Sequence, residues 1–118
     1  MQAPREFDGP GDAWSPETLL LAAVQGCFLL TVRAMAEAAH VPFASLSADT
    51  WGTVDRNHGT MRFTEIVVAP TITFPAGTDM AQARRLVERA EQACLITASL
   101  STPVRVDATL VHAPSVAA

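Results

Sequence analysis

From Leu19 to Met35 the chain is apolar on almost every side of a helix, and such a helix must be enclosed by protein on most of its surface. Ser15-Pro16-Glu17 opens it: serine is a favoured N-cap, proline suits the first helical position, and a carboxylate there complements the dipole. The helix should run to about Ala39, where His40, Val41 and Pro42 end it. Ala22, Ala23 and Gly26 are small enough to let another element approach closely. The apolar run Leu19–Val32, interrupted by Gln25, Gly26 and Thr31, is shorter than the roughly 18–20 residues of a membrane span. A core helix is therefore expected.

The rest of the chain must supply the enclosure. With 118 residues, of which 49% are hydrophobic, one domain over 1–118 is expected, with 1–14 as an N-terminal arm. From Leu46 the period changes to two, with Leu46, Ala48, Thr50, Gly52 and Val54 on one side of a strand. Asp55 to Gly59 carries turn chemistry, with Asn57 and Gly59 suited to positive φ, and a second strand from Thr60 completes a hairpin. Its alternation slips at Val67-Val68, which predicts a bulge or bend near Ala69-Pro70. A second helix, capped by Thr78 or Asp79, should cover Met80 to Cys94, while Leu95 to Leu100 fits either a helical turn or a loop. Pro103 to His112 alternates again as a last strand. The fold class is α+β, with the helices on one face of an antiparallel sheet.

Charge narrows the function. A net charge of −4 offers no electrostatic footprint for nucleic acid or an anionic membrane. The acidic, turn-rich N-terminus does not read as a signal peptide, and a cytoplasmic protein is expected. Cys27 and Cys94 are too few for a disulfide scaffold. They are the candidate nucleophiles, and both also fit as small core hydrophobes. His40, His58 and His112 sit at a helix end, a turn and a strand end, so no metal site is expected. Glu17 is either a helix-start carboxylate or part of a thiol site. At about 1.5 Å per residue it lies about 15 Å up the helix from Cys27, out of reach unless the helix breaks or a second subunit supplies it.

Two segments carry a resemblance. Trp14-Ser15-Pro16-Glu17-Thr18-Leu19-Leu20-Leu21-Ala22-Ala23-Val24-Gln25-Gly26-Cys27-Phe28 resembles the opening helix of the OsmC/Ohr family of thiol peroxidases, where a Pro-Glu pair starts an apolar helix and a cysteine follows at this distance. Ala90-Glu91-Gln92-Ala93-Cys94-Leu95-Ile96-Thr97-Ala98-Ser99-Leu100 resembles the family's second cysteine segment. The resemblance covers about residues 7–112. It implies an OsmC-like fold, two central helices on the sheet, and an intertwined homodimer with sites at the subunit interface. It further implies Cys27 as peroxidatic cysteine, Cys94 as resolving cysteine and Glu17 as an organising carboxylate.

The implied activity is a peroxidase acting on organic hydroperoxides, recycled by an external dithiol, with no cofactor. Rival readings are a non-catalytic protein that binds a small ligand, and a cysteine redox sensor. One departure stands out: family members usually begin with extra N-terminal strands, which in the hydroperoxide reductases supply an arginine that activates the thiolate. Only Arg5 precedes the helix here. Arg33 points away from Cys27, and Arg62 or Arg5 would have to substitute. Without such a cation, burial should keep the Cys27 thiol protonated and activity weak.

Overall fold

The computed structural model describes residues 1–7, 9, 11 and 13–115. Positions 8, 10 and 12 of the expected arm, and 116–118, lie outside the described residues. A short 3-10 turn, Arg5–Phe7, precedes helix α1, Pro16–Ala38. A hairpin of β1 (Ser45–Asn57) and β2 (Thr60–Phe74) follows, then α2 (Met80–Ala93), the single-turn α3 (Leu95–Ala98), β3 (Val104–Val106) and β4 (Thr109–His112).

The start of α1 is built as its residues dictate. Ser15, buried at 1% exposure, accepts from the Thr18 N–H at 3.1 Å, and the Ser15 N–H donates to Thr18 Oγ1 at 2.9 Å. Along α1 only one line is fully buried: Val24, Phe28, Val32 and Ala36, spaced by four. It meets Ala83, Leu86, Val87 and Ala90 of α2 and Ile66, Val68, Ile72 and Phe74 of β2. The opposite side is apolar and bare, with Leu19, Ala22, Ala23 and Leu30 all exposed. The enclosure expected on most sides is thus absent within a single chain. At 23 residues α1 is also long and apolar enough to cross a membrane by length and composition, which corrects the shorter run expected above. Its buried line nevertheless makes it a core helix here.

The sheet is mixed, not antiparallel. β1 and β2 pair antiparallel, but β3 and β4 both run parallel to β2. The reason lies in the order strand, helix, strand: a chain leaving β2 through α2 returns to the same sheet by a crossover, which sets the strands parallel. β3 and β4 occupy the expected last strand in one register, with Val104 facing Ile66 and Thr109 facing Thr71. Pairing breaks at Asp107 and Ala108, alongside Ala69 and Pro70 of β2, where proline contributes no N–H to a ladder. The expected irregularity near Ala69-Pro70 therefore falls in the neighbouring strand. The bulge itself lies at Thr64, where the β1 partner steps from Thr53↔Glu65 to Val54↔Phe63. In the hairpin turn His58 (φ 52°) and Gly59 (φ 79°), not Asn57, take the left-handed conformation. Two consecutive left-handed residues match the right-handed twist of the flanking strands.

Candidate functional site

The two cysteines come together at the break between α2 and α3. Cys94 ends α2 in an extended conformation (φ −67°, ψ 111°) and is at once the N-cap of α3, without a side-chain cap bond of its own. That break leaves the first N–H groups of α3 without intrahelical partners. The Cys27 side chain of α1 meets them. The Ile96 N–H, above all, holds the Cys27 thiol below its ordinary pKa. Partial burial opposes this, and the Cys94 thiol and the Leu95 N–H add to the lowering. Hydrogen bonds to a thiolate favour the charged form, so their sum can outweigh desolvation. No arginine is among the groups that shift the Cys27 thiol; the groups that lower it are backbone donors and neighbouring side chains.

Exposure divides the pair. Cys94 is buried at 1% exposure, whereas Cys27 is partly exposed, and both thiols are free. Thr31, one turn on, donates its hydroxyl to the Cys27 carbonyl at 2.7 Å and so ties that stretch of helix. Gln25 accepts from Thr50 Oγ1 at 2.7 Å, pinning α1 to β1. Sequence reasoning left Leu95–Leu100 undecided and so missed Ile96 and Leu95 as donors. An extended residue between two helical segments is not visible in side-chain pattern, because the donors belong to the backbone.

Glu17 stands apart from the thiols. It lines a cavity with Pro4, Glu6, Leu21, Met61 and Phe63, and its Oε2 is shut from solvent without a hydrogen-bond partner among the described residues. Within one chain the structure does not bring Glu17 to Cys27. Of the arginines considered as activators, Arg62 donates to Ser101 Oγ at 3.1 Å, and Arg33 is exposed on α1. Arg5 lies in the 3-10 turn. Among the described residues no cluster of His, Cys, Asp or Glu could hold a metal ion.

Residues 9–109 match the family described as OsmC-like protein. The chain belongs to that family. The curated relative YmaD of Bacillus subtilis, an uncharacterized protein, is 29% identical over 100 residues, covering 82% of this chain and 67% of its own. Among solved structures, an OsmC-like protein of unknown function from Vibrio cholerae superposes with a TM-score of 0.77 at 23% identity, covering 85% of this chain and 67% of that one. An organic hydroperoxide resistance protein OsmC from Legionella pneumophila gives 0.75 at 21% identity, covering 94% and 79%. One from Elizabethkingia anophelis, with thiocyanate bound, gives 0.75 at 19%, covering 94% and 78%. These likenesses establish the OsmC fold of helices on a four-stranded mixed sheet.

Proposed function

We propose that this OsmC-like protein is a thiol-dependent peroxidase that reduces organic hydroperoxides. The observation that carries the reading is the Cys27 thiol, partly exposed, pKa-lowered and hydrogen-bonded to the Ile96 N–H and the Cys94 thiol. A thiolate is the reactive form of cysteine, and reactive cysteines are partly exposed where structural ones are buried. The Cys27 thiolate attacks one peroxide oxygen. The O–O bond breaks, the leaving alkoxide takes a proton to become the alcohol, and Cys27 becomes a sulfenic acid. The Cys94 thiol then condenses with it, losing water and forming a Cys27–Cys94 disulfide. An external dithiol reduces that bond by exchange and is itself oxidised to a disulfide. Each step uses only the two cysteines and the named reactants. A reducing compartment such as the cytoplasm suits a cycle that must return both thiols to the free state.

We also infer a homodimer. Leu19, Ala22, Ala23, Gly26 and Leu30 fall within about 100° of arc at 3.6 residues per turn, opposite the buried line. A Cβ added at Gly26 would meet nothing within 4 Å in one chain. A second copy seated on this stripe would cover it, and would offer a way for Glu17, whose Oε2 has no hydrogen-bond partner among the described residues, to meet residues of the other subunit. The rival in which both cysteines are inert and the protein only binds a ligand is disfavoured by the lowered pKa of Cys27, to which the Ile96 N–H and the Cys94 thiol both contribute. The deciding experiment is reduction of cumene hydroperoxide with a dithiol as electron donor. Wild type should turn over and Cys27→Ser should not; equal rates would remove the thiol mechanism.

A further inference from the structure

At the far end of the α1–α2 seam from the cysteines lies a groove of about 400 Å³, within the usual volume range of small-molecule sites. Its floor is apolar, formed by Met35 and Ala38 of α1 and Leu86 of α2, and its rim holds Gln82, Arg85 and Arg89. Gln82, Arg85, Leu86 and Arg89 recur at i, i+3, i+4 and i+7, so the polar rim and part of the floor share one face of α2. Two like charges at i, i+4 repel, and a carboxylate between them would relieve that repulsion. Among the described residues neither guanidinium has an ion-pair or hydrogen-bond partner, in contrast to Arg105, which lies 3.8 Å from Glu65. Nor does either donate to the carbonyls at the end of α1, although Ala38 and Ala39 line the same groove. This cationic rim stands out on a chain with a net charge of −4.

We propose that this groove binds a small carboxylate with an unbranched apolar tail, the head held by Arg85 and Arg89 and the tail laid along Met35, Ala38 and Leu86. Guanidinium forks match carboxylate geometry and can bind it in a bidentate way. Methionine, with three rotatable bonds, adapts to an irregular aliphatic chain. The site is separate from the thiol: Met35 lies eight residues beyond Cys27, about 12 Å along the helix. It also lies off the Leu19–Leu30 stripe assigned above to the second copy. The proposal is independent of the peroxidase reading.

Octanoate is the probe, titrated into the full chain carrying ¹³C-methyl methionine. The Met35 methyl should shift and saturate at millimolar octanoate, while the methyls of Met61, in the cavity of Glu17, and Met80 stay in place. The double variant Arg85→Gln/Arg89→Gln, both exposed positions, should keep the wild-type melting curve and bind about tenfold more weakly or worse. Octanol, which has the tail without the charge, should leave Met35 unmoved at the same concentration. Cys27→Ser should bind octanoate as wild type does, so loss of peroxidase activity and loss of binding are separable. A motionless Met35 methyl, a shift at Met61 in its place, an equal response to octanol, or unchanged affinity in the double variant would each overturn the proposal.

Discussion

Leu30→Ala tests the proposed dimer by placing one perturbation where a single chain and an assembled pair disagree. Leu30 is 66% exposed in the chain. Truncating it in an isolated protomer removes little buried surface, and its cost should stay within about 0.5 kcal/mol, as for ordinary surface changes. If a second copy covers the stripe, roughly three apolar groups at about 0.8 kcal/mol each are lost from the interface. Only the part left bare by the chain itself can be buried by the partner, so about two-thirds of that sum applies, or about 1.6 kcal/mol per copy. A two-fold interface uses the same patch on both subunits, which gives about 3 kcal/mol per dimer. At about 1.4 kcal/mol per decade this raises the dimer Kd by roughly a hundredfold. Sedimentation equilibrium over a dilution series reads that constant directly. Thermal melts at two protein concentrations give an independent check, since dimer stability depends on concentration. A wild-type chain that stays monomeric at micromolar concentration would refute the reasoning. So would a Leu30→Ala dimer constant within about threefold of wild type.

Further outcomes follow from single residues. Gly26→Ala should stabilise an isolated helix by about 0.8–1 kcal/mol, since its Cβ meets nothing in one chain; a closely packed dimer should instead be weakened, so the sign of the change in melting temperature decides. Ser15→Ala removes the buried N-cap and should cost about 1–2 kcal/mol, read as a lowered urea midpoint at unchanged slope. The Cys27 thiol has a depressed pKa in the folded state, so its contribution to stability is present above the unfolded thiol pKa and lost as pH falls through the folded one. Wild type should therefore gain stability relative to Cys27→Ser as pH rises through that window, and iodoacetamide should reach half its maximal rate with Cys27 at a lower pH than in the same chain unfolded in urea. A flat difference would contradict the donor geometry. Cys94→Ser should trap a sulfenic acid on Cys27 under peroxide, visible by mass spectrometry as a dimedone adduct; oxidation appearing first on Cys94 in the wild type would reverse the roles.

The features legible in sequence are those governed by local chemistry. Ser15-Pro16 starts α1 because an N-cap hydroxyl and a fixed proline φ act over one turn. Period-two alternation gives β1 because every second side chain of a strand faces the helices. Cys27 and Cys94 could be singled out, with the resemblance of their segments to one family, because residue type and spacing survive without a structure. Strand direction was less readable: the alternation of residues 103–112 is the same whether a strand runs parallel or antiparallel, and only the crossover through α2 sets it. The break at Asp107-Ala108 likewise depends on Pro70, a residue of another strand. What the tertiary structure alone decided is the environment of the thiol. A charged side chain beside Cys27 is the feature that sequence would reveal, and none is among the groups that shift its thiol. The donors are instead the Ile96 and Leu95 N–H groups, carried by every residue but proline and therefore without a sequence signature. They act on the thiol only where the chain breaks at Cys94 and α1 brings Cys27 against the exposed peptide groups.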